Sequence, residues 1–469
     1  MSPKRKNSTY QQLKLRLEKR QTTEVKHFKK PLVLSWLVLF LSASCGTAWG
    51  PTAKQEIASE SDNPAWLEAD FVFKNEVLDS GLRTLQLRSS ESDIVFPFIE
   101  LNSGQRLRMT FDDISGKPQG MEYALVHCTH DWTRSSLSEM DYMQGFSRNN
   151  PDEVVASSGS EVPFINYEFV FPNDFCKIRI SGNYALVLFR TETPDKPAAI
   201  LRFVVFEKLV GVVTQIKEPT VVAEARHMQE IDVTIKHDNY RIDRPNTDLH
   251  ITILQNGRWD NAINNLRPRF IQDKTINYDY GEENNMEGGA EFRHLNLRTV
   301  GSASFGLKEF KQEQDGMIHA YVHDKSLAFS PYLSNRDING KYEISSTIGW
   351  NSRTDAHYIY VHFRLDSPYP LPDEQVFVAG QFSLYEQRKP YLMTYDHDLK
   401  AYTCLVLMKQ GYYNYHYITL GKDKKPGLRA FEGSHFGTEN EYQVFAYNYD
   451  PLGGYDRVIG VMMTNNFNK

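Results

Sequence analysis

The sequence lacks the short motifs that mark common enzyme classes. Its 469 residues contain no G-x-S-x-G elbow, no glycine-rich phosphate loop, no dinucleotide fingerprint and no H-E-x-x-H helix. Acidic pairs such as Asp112 with Asp113 are adjacent, so on a strand their side chains point apart and cannot serve as a facing acid and base. We therefore expect no catalytic residues, no cofactor and no enzymatic activity.

Cysteine is scarce, with four residues at positions 45, 128, 176 and 404. Cys128 and Cys176 fall in the same predicted domain, and an exported protein can form disulfides. If Cys45 is lipidated or removed, the number that remains is odd. A Cys128–Cys176 bridge and two buried free thiols are both compatible with the sequence.

Long apolar runs are also scarce, and the run Leu32–Leu41 is too short to span a bilayer comfortably. It follows thirty residues that hold ten basic and two acidic side chains, and small residues come after it. This order predicts a secretory signal over 1–50 and a linker over 51–69. Without the first thirty residues the net charge falls from −6 to −14. An acidic exported chain lacks the positive field of nonspecific nucleic-acid binding.

Cys45 follows small residues and precedes Gly46, as the lipidated cysteine of bacterial lipoprotein signals does. Leu41 stands one position further out than in the usual signal. Lipidation of Cys45 would anchor the chain to a membrane, whereas ordinary cleavage after Ser44, Ala48 or Gly50 would release it. Both outcomes stay open at this point.

Short alternating runs dominate the rest of the chain, and turn residues separate them. Aromatic residues make up 13% of the composition, and runs such as YALVHC, YALVLF, LRFVVF and YIYVHF are typical of buried strands. The pattern predicts an all-β protein of about three tandem immunoglobulin-like β-sandwich domains with little helix. The predicted boundaries are 70–208, 209–348 and 349–469.

The stretch Tyr123–Phe146 is the most unusual part of the first domain. It begins as a strand that ends near Cys128, and serines and aspartate then favour turns. Apolar side chains, including Trp132, Met140, Tyr142, Met143 and Phe146, predict a long loop anchored by packing. A metal site built from His127, Cys128, His130 and Asp131 is the alternative, but His127 and His130 would point to opposite faces of a strand. We expect no metal.

In the second domain, Asn256 and Gly257 suit a type I′ hairpin turn within QNGRWD. Trp259 is expected to pack over this hairpin. A sugar platform is the alternative, although one aromatic ring does not make a groove.

The third domain resembles the immunoglobulin-like modules that bind glycogen or starch, through VFVAGQFS and the tyrosines of GYYNYHYI. Alternation places Tyr413, Tyr415 and Tyr417 on one face, which favours a core for at least one row. The tryptophan that such modules usually carry after Gly380 and Phe382 is missing, so sugar binding is not expected.

Four motifs together carry a wider resemblance. HCTHDW, SSLSEMDYMQGF, FPNDFCKIRISGNYALVLF and LQNGRWDNAINNLRPRF occur in that order, and from about Asp70 onward the chain resembles the plug protein family of the type IX secretion system. The resemblance implies a non-catalytic periplasmic protein, associated with the outer membrane, that docks under the large translocon barrel and closes its pore when no substrate is passing. We expect the loop Asp131–Phe146 to supply the contact surface.

Two alternatives remain from other classes. One is a periplasmic carbohydrate-binding protein that uses the C-terminal domain. The other is an enzyme whose site is assembled from distant residues and which carries a sugar-binding accessory domain.

Overall fold

Strand alternation determines the fold, because the short runs place apolar side chains on one face or on both. The computed structural model describes residues 66, 70–92, 95–264, 266–302, 304, 306–347, 349–385, 389–422 and 424–466. The expected leader 1–50 with Cys45 lies outside these residues, as does the linker 51–69 apart from Trp66. No helix in the described ranges is long and apolar enough to cross a membrane.

The first β-sandwich is formed by the elements from β1 to β11. They are β1 (Glu76–Val77), β2 (Leu82–Ser89), β3 (Phe98–Glu100), β4 (Leu107–Asp113), β5 (Met121–Cys128), α1 (Glu139–Tyr142), β6 (Met143–Gly145), β7 (Glu153–Ala156), β8 (Ile165–Phe171), β9 (Cys176–Ile178), β10 (Gly182–Arg190) and β11 (Pro197–Phe206). One sheet has the order β1-β11-β10-β5, with β3 parallel to β11, and the facing sheet has the order β2-β4-β8-β7. Strands β6 and β9 form a small separate sheet.

Strand β10 is buried on both faces, which explains its continuous apolar sequence. Tyr184 and Leu186 point into the core of the first sandwich, where Tyr123 stacks on Phe169 with 4.0 Å between ring centroids. Ala185 and Val187 point the other way, into a second core shared with later strands. The first sandwich is therefore packed against another sheet as well as against itself.

The second sandwich is formed by two separate parts of the chain. The first part contains β12 (Gly211–Lys217), β13 (Met228–Lys236), α2 (Pro245–Asp248), β14 (Leu249–Gln255), β15 (Arg258–Ile263), β16 (Phe270–Ile271), β17 (Thr275–Tyr278) and β18 (Asn285–Glu287). The second part is the C-terminal hairpin, which contains β29 (Glu441–Asp450) and β30 (Tyr455–Asn465). One sheet has the order β12-β13-β17-β16, with β18 beside β13, and the other has the order β15-β14-β29-β30.

The third sandwich lies between these two parts in the sequence. Its elements are β19 (Arg293–Asn296), β20 (Glu309–Gln312), β21 (Ile318–Lys325), β22 (Tyr342–Ile344), α3 (Ser352–Asp355), β23 (Tyr358–Asp366), β24 (Gln375–Ala379), β25 (Thr394–Asp396), β26 (Ala401–Lys409), β27 (Gly411–Leu420) and β28 (Pro426–Gly427), with 3-10 turns at Gln381–Ser383 and Lys389–Tyr391. One sheet has the order β20-β21-β23-β26-β25, and in the other β27 pairs with β19, β22, β24 and β28.

The expectation of an all-β protein with little helix is confirmed, since each α-helix in the described ranges has four residues. The sheets do not divide at the predicted boundary between 209–348 and 349–469. Strand β14 pairs with β29 from Leu249 opposite Asn448 to Gln255 opposite Tyr442, and β19 to β22 belong to the third sandwich. Pairing between segments so far apart leaves no local pattern in the sequence.

The three sandwiches form one compact unit, Asp62–Lys469, and two kinds of joint connect them. The joint between the first and second sandwiches is apolar, with Phe98 in edge-to-face contact with Phe445 at 4.8 Å. The joint between the first and third is polar, because Tyr358 and Lys409 both bond to the carboxylate of Asp112.

Candidate interaction surface

The stretch expected to form one anchored loop is divided between two places. Residues 129–135 turn back at the end of β5, where Thr129 and Ser135 make backbone bonds to Thr133 and His127. Residues 138–147 lie further on and reach the outside of the first sandwich. The two parts have different surroundings, so they are described separately.

Trp132 belongs to the first part and is 4% exposed. Its ring meets that of Trp259 edge to face at 4.7 Å, and the Arg202 guanidinium lies 4.5 Å above it. Trp132 has a φ of +70°, a region that bulky residues seldom adopt, and its backbone carbonyl accepts a bond from the Phe73 amide at 2.9 Å. The indole is therefore part of the apolar interface between the first and second sandwiches.

The sequence predicted that Trp259 packs over its own hairpin, but the structure places it elsewhere. It is half-buried and lies between Trp132 and Phe445, because β15 faces the first sandwich at this joint. The turn itself has the predicted backbone, since Asn256 and Gly257 have φ values of +55° and +67°.

The residues of the possible metal site have separate partners. His127 is fully buried, its Nε2 lies 3.3 Å from the Ser181 carbonyl, and burial lowers the pKa of its imidazole to about 4. His130 bonds to Asp456 through Nδ1 at 3.0 Å and stacks on His250 at 3.7 Å. These two histidines therefore face different surroundings.

Cys128 and Cys176 are free thiols that lie in different cores. Cys128 lies beside Trp132 in the core shared with the second sandwich, whereas Cys176 lies in the core of the first sandwich. The Cys176 thiol is 3.4 Å from the sulfur of Met143. The alternative of two buried free thiols is the one that the structure shows.

The second part of the stretch is clamped by hydrogen bonds and by buried side chains. Asp141 accepts bonds from the Ser138 amide and hydroxyl at 2.9 and 2.7 Å, which closes the first turn of α1. The Tyr142 ring is 3% exposed and its hydroxyl donates to the Leu125 carbonyl at 3.2 Å. Pairing of β6 with β9 then fixes the segment up to Gly145.

Three apolar side chains around this small sheet point outward, and we call them the apolar tip. Met140 is 78% exposed, Phe146 is 62% exposed and Phe175 is 60% exposed. Phe146 and Phe175 stack with 6.2 Å between centroids, and the Phe146 amide donates to the Phe175 carbonyl at 2.8 Å. A cluster of exposed apolar side chains on a fixed backbone is typical of a protein contact surface.

Two of these residues correct an expectation. Met140 and Phe146 were expected to anchor the loop, but in α1 the side chain of Tyr142 takes the buried side and Met140, two residues earlier, faces solvent. Phe175 was not predicted as part of a surface. The sequence feature that could have indicated it is the turn-forming run Pro172, Asn173 and Asp174, which directs the next side chain, Phe175, outward.

Several acidic side chains elsewhere in the described residues have basic partners. Asp112 bonds to Lys409 and Asp113 bonds to Arg190, each at 2.7 Å, so the adjacent pair does point to opposite faces of its strand. A group of carboxylates with close oxygens, formed by Glu230, Asp232 and Asp279, holds the Lys217 ammonium. That ammonium supplies the charge that a cation would otherwise bring.

The tyrosines that suggested a sugar platform are core residues. Tyr413, Tyr415 and Tyr417 are each at most 2% exposed, and Tyr415 and Tyr417 both donate to Asp324 at 2.7 Å. On the other face of β27, Tyr412 bonds to His294. The row therefore does not present stacked rings to solvent.

Comparisons with known proteins agree with this architecture. The model for the type 9 secretion system plug protein 1st domain matches residues 82–207. A crystal structure of a hypothetical protein from Parabacteroides merdae ATCC 43184, at 2.30 Å resolution, has a TM-score of 0.81 and 29% sequence identity, and the match covers 84% of this chain and 100% of that chain. A search of curated proteins gives no match.

Proposed function

Because residues 82–207 match the model for the type 9 secretion system plug protein 1st domain, we propose that the chain docks under the translocon barrel of that system in the outer membrane and seals its pore when no substrate is passing. The match carries the proposal. It covers β2 to β11, and so it includes all three residues of the apolar tip.

The apolar tip is the part of the first sandwich best suited to contact a protein rim. Its backbone is already ordered by the β6-β9 sheet and by α1, so little conformational entropy is lost on binding. Large apolar side chains are the ones that dominate binding energy at protein interfaces. Exposed Glu139 and Asp141 border the tip and would form a polar rim.

A periplasmic, non-catalytic location and role follow from the same proposal. The basic and apolar leader supports export, and the contacts of the candidate metal and acidic residues are structural pairs. Lipidation of Cys45 would keep the protein at the inner face of the outer membrane, and cleavage would leave it bound through the barrel alone. The alternative of carbohydrate binding by the third sandwich is less well supported, because Tyr413, Tyr415 and Tyr417 lie in the core.

The proposal is tested by purifying the translocon from native envelopes and by deleting the protein. We expect the barrel to retain the chain during purification. We expect a deletion strain to assemble the translocon but to admit large hydrophilic dyes or antibiotics across the outer membrane. A strain that stays tight, together with purified barrel that never retains the chain, would reject the plug function.

A further inference from the structure

The outer face of the five-stranded sheet in the third sandwich carries two histidines whose rings contact each other. His319 on β21 and His362 on β23 lie on neighbouring parallel strands, and the residues that follow them, Ala320 and Phe363, point into the core. The Nδ1 atom of His319 lies 2.8 Å from the Nε2 atom of His362. The two residues are 43 positions apart in the sequence, so the pairing of the strands brings them together.

A carboxylate on the other side of the His319 ring fixes the tautomer of that ring. The Oδ2 atom of Asp315 lies 3.4 Å from Nε2 of His319, and its Oδ1 atom accepts a bond from the Met317 amide at 3.0 Å. Because a carboxylate only accepts hydrogen bonds, Nε2 of His319 carries the ring proton and the lone pair on Nδ1 points at His362. A carboxylate behind an imidazole is the arrangement that orients metal-binding histidines in proteins.

The second imidazole of the pair is neutral at pH 7. Burial lowers the pKa of His362 to about 4, the adjacent His319 lowers it as well, and the charge of Glu313 opposes the shift. A neutral imidazole has the lone pair that a metal ion needs, whereas a protonated one does not. His362 therefore has the charge state of a ligand without any change of pH.

The charged side chains around the pair are compatible with a bound cation. The Glu313 carboxylate accepts a bond from the Tyr321 hydroxyl at 2.8 Å, and the Tyr321 ring stacks on His362 at 4.5 Å. Lys311 is the cross-strand partner of His319, but its ammonium donates to Glu309 at 2.7 Å. A cation at the pair would thus be attracted by Glu313, and the nearest ammonium in the register already has a carboxylate beside it.

We propose that His319 and His362 bind a divalent transition-metal ion of the zinc, copper or nickel class, through Nδ1 of the first ring and Nε2 of the second. Imidazole nitrogen is a preferred ligand for these metals, and water would fill the remaining positions. Two nitrogens that are each about 2.0 to 2.1 Å from a tetrahedral zinc ion are about 3.3 Å apart. The two rings therefore need to separate by only about half an ångström.

Binding requires a change of tautomer in one ring. In the structure Nε2 of His362 donates its proton to Nδ1 of His319. When the metal binds, that proton leaves Nε2 for water and Nδ1 of His362 takes one up from water, so the ring stays neutral. The bound ion would join β21 to β23, and the apparent stability of the third sandwich would rise with metal concentration.

The test is a calorimetric titration of the full purified chain, without a polyhistidine tag, with zinc chloride. His319→Gln and His362→Gln should each weaken zinc binding at least about tenfold, because each removes one of the two protein ligands. His397→Gln should leave the affinity unchanged, because His397 is an exposed histidine at the opposite edge of the same sheet, beside Tyr395.

Asp315→Asn tests the positioning role of the carboxylate. We expect zinc binding to weaken by about tenfold, as for other partners of metal-bound histidines. The unfolding free energy without metal should change little, because the Asp315 side chain is 44% exposed. Equal zinc affinities of Asp315→Asn and the wild type would contradict this role.

Electron paramagnetic resonance with substoichiometric Cu²⁺ identifies the ligands directly. The wild type should show hyperfine coupling to two nitrogens, and each glutamine variant should show coupling to at most one. If the buried His319→Gln does not fold, His362→Gln decides the question, because His362 is only half-buried. The proposal is wrong if His362→Gln binds zinc as tightly as the wild type, or if the Cu²⁺ spectrum of the wild type shows no nitrogen ligand.

Discussion

The ammonium of Lys409 lies 2.7 Å from a carboxylate oxygen of Asp112, although the two residues are 297 positions apart in the sequence. Each side chain is 1% exposed. The Asp112 carboxylate also accepts bonds from the Tyr358 hydroxyl at 2.8 Å and from the Asn166 amide at 2.7 Å. This buried pair and its bonds connect the first sandwich to the third.

Removing one partner of this pair should destabilise the protein strongly. Asp112→Asn or Lys409→Met would leave a buried charge without its partner, which costs about 3 to 5 kcal/mol of unfolding free energy. Urea denaturation would measure the loss. Lys422→Met removes an ion pair in which both side chains are more than 70% exposed, and it should have little effect. Equal effects of the buried and exposed substitutions would contradict the proposed importance of the joint.

Trp132→Ala should destabilise the joint between the first and second sandwiches. Replacing a buried large aromatic residue by alanine costs about 3 to 5 kcal/mol, and here the ring packs on Trp259 and under Arg202. Chemical denaturation followed by tryptophan fluorescence would measure it. A Trp132→Ala variant that keeps its stability and loses only partner binding would instead make Trp132 a contact residue.

The apolar tip should be needed for docking and not for folding. Phe146→Ser and Phe175→Ser replace exposed side chains, so the unfolding free energy should change little while retention by the purified translocon should fall. Phe329→Ser is a matched control, because Phe329 is fully exposed but belongs to the third sandwich. If the Phe329 variant loses retention and the tip variants keep it, the contact surface lies elsewhere on the protein.

Much of this surface was visible in the sequence, but its orientation was not. Alternation identified β5 and β10 as buried strands, and the serines and aspartates after Cys128 identified a structured loop. Whether an apolar side chain in such a loop points inward depends on the local turn: Tyr142 is buried, whereas Met140 in the same helical turn is exposed. The contact of Trp132 with Trp259 needs the packing of two sandwiches, which a local pattern does not encode.

Asp337 should make stability depend on pH. Burial raises the pKa of its carboxyl to about 7, Glu291 and Glu439 add to this effect, and bonds from the Asn339 and Phe292 amides oppose it. The folded state therefore binds a proton more tightly than the unfolded state, whose pKa is near 3.8. This contribution to stability is complete below that value and is lost as the pH rises through about 7.

The comparison of wild type with Asp337→Asn at pH 5 and pH 8 isolates this contribution. The unfolding free energy of the wild type minus that of the variant should be more positive at pH 5 than at pH 8. Urea denaturation at both pH values would measure the two differences. A difference that does not vary with pH would show that Asp337 does not titrate in this range.

The thiols should be free but unreactive in the folded protein. Burial raises the pKa of Cys176 to about 12 and that of Cys404 to about 12, and it raises that of Cys128 above its ordinary value, so little thiolate is present at neutral pH. In a Cys45→Ser background, a thiol reagent should react slowly with native protein. In denaturant without reductant it should detect all three thiols, whereas a Cys128–Cys176 bridge would leave only one.

The pairing of β14 with the C-terminal hairpin has a consequence for how the chain folds. Strand β14 (Leu249–Gln255) pairs with β29 (Glu441–Asp450), and the whole third sandwich lies between them in the sequence. A chain without β29 would leave the β14 edge unpaired and would lack Phe445, which packs on Phe98 of the first sandwich. An incomplete copy would therefore carry an unpaired strand edge and exposed apolar surface, which are the features that make partly folded chains prone to aggregation.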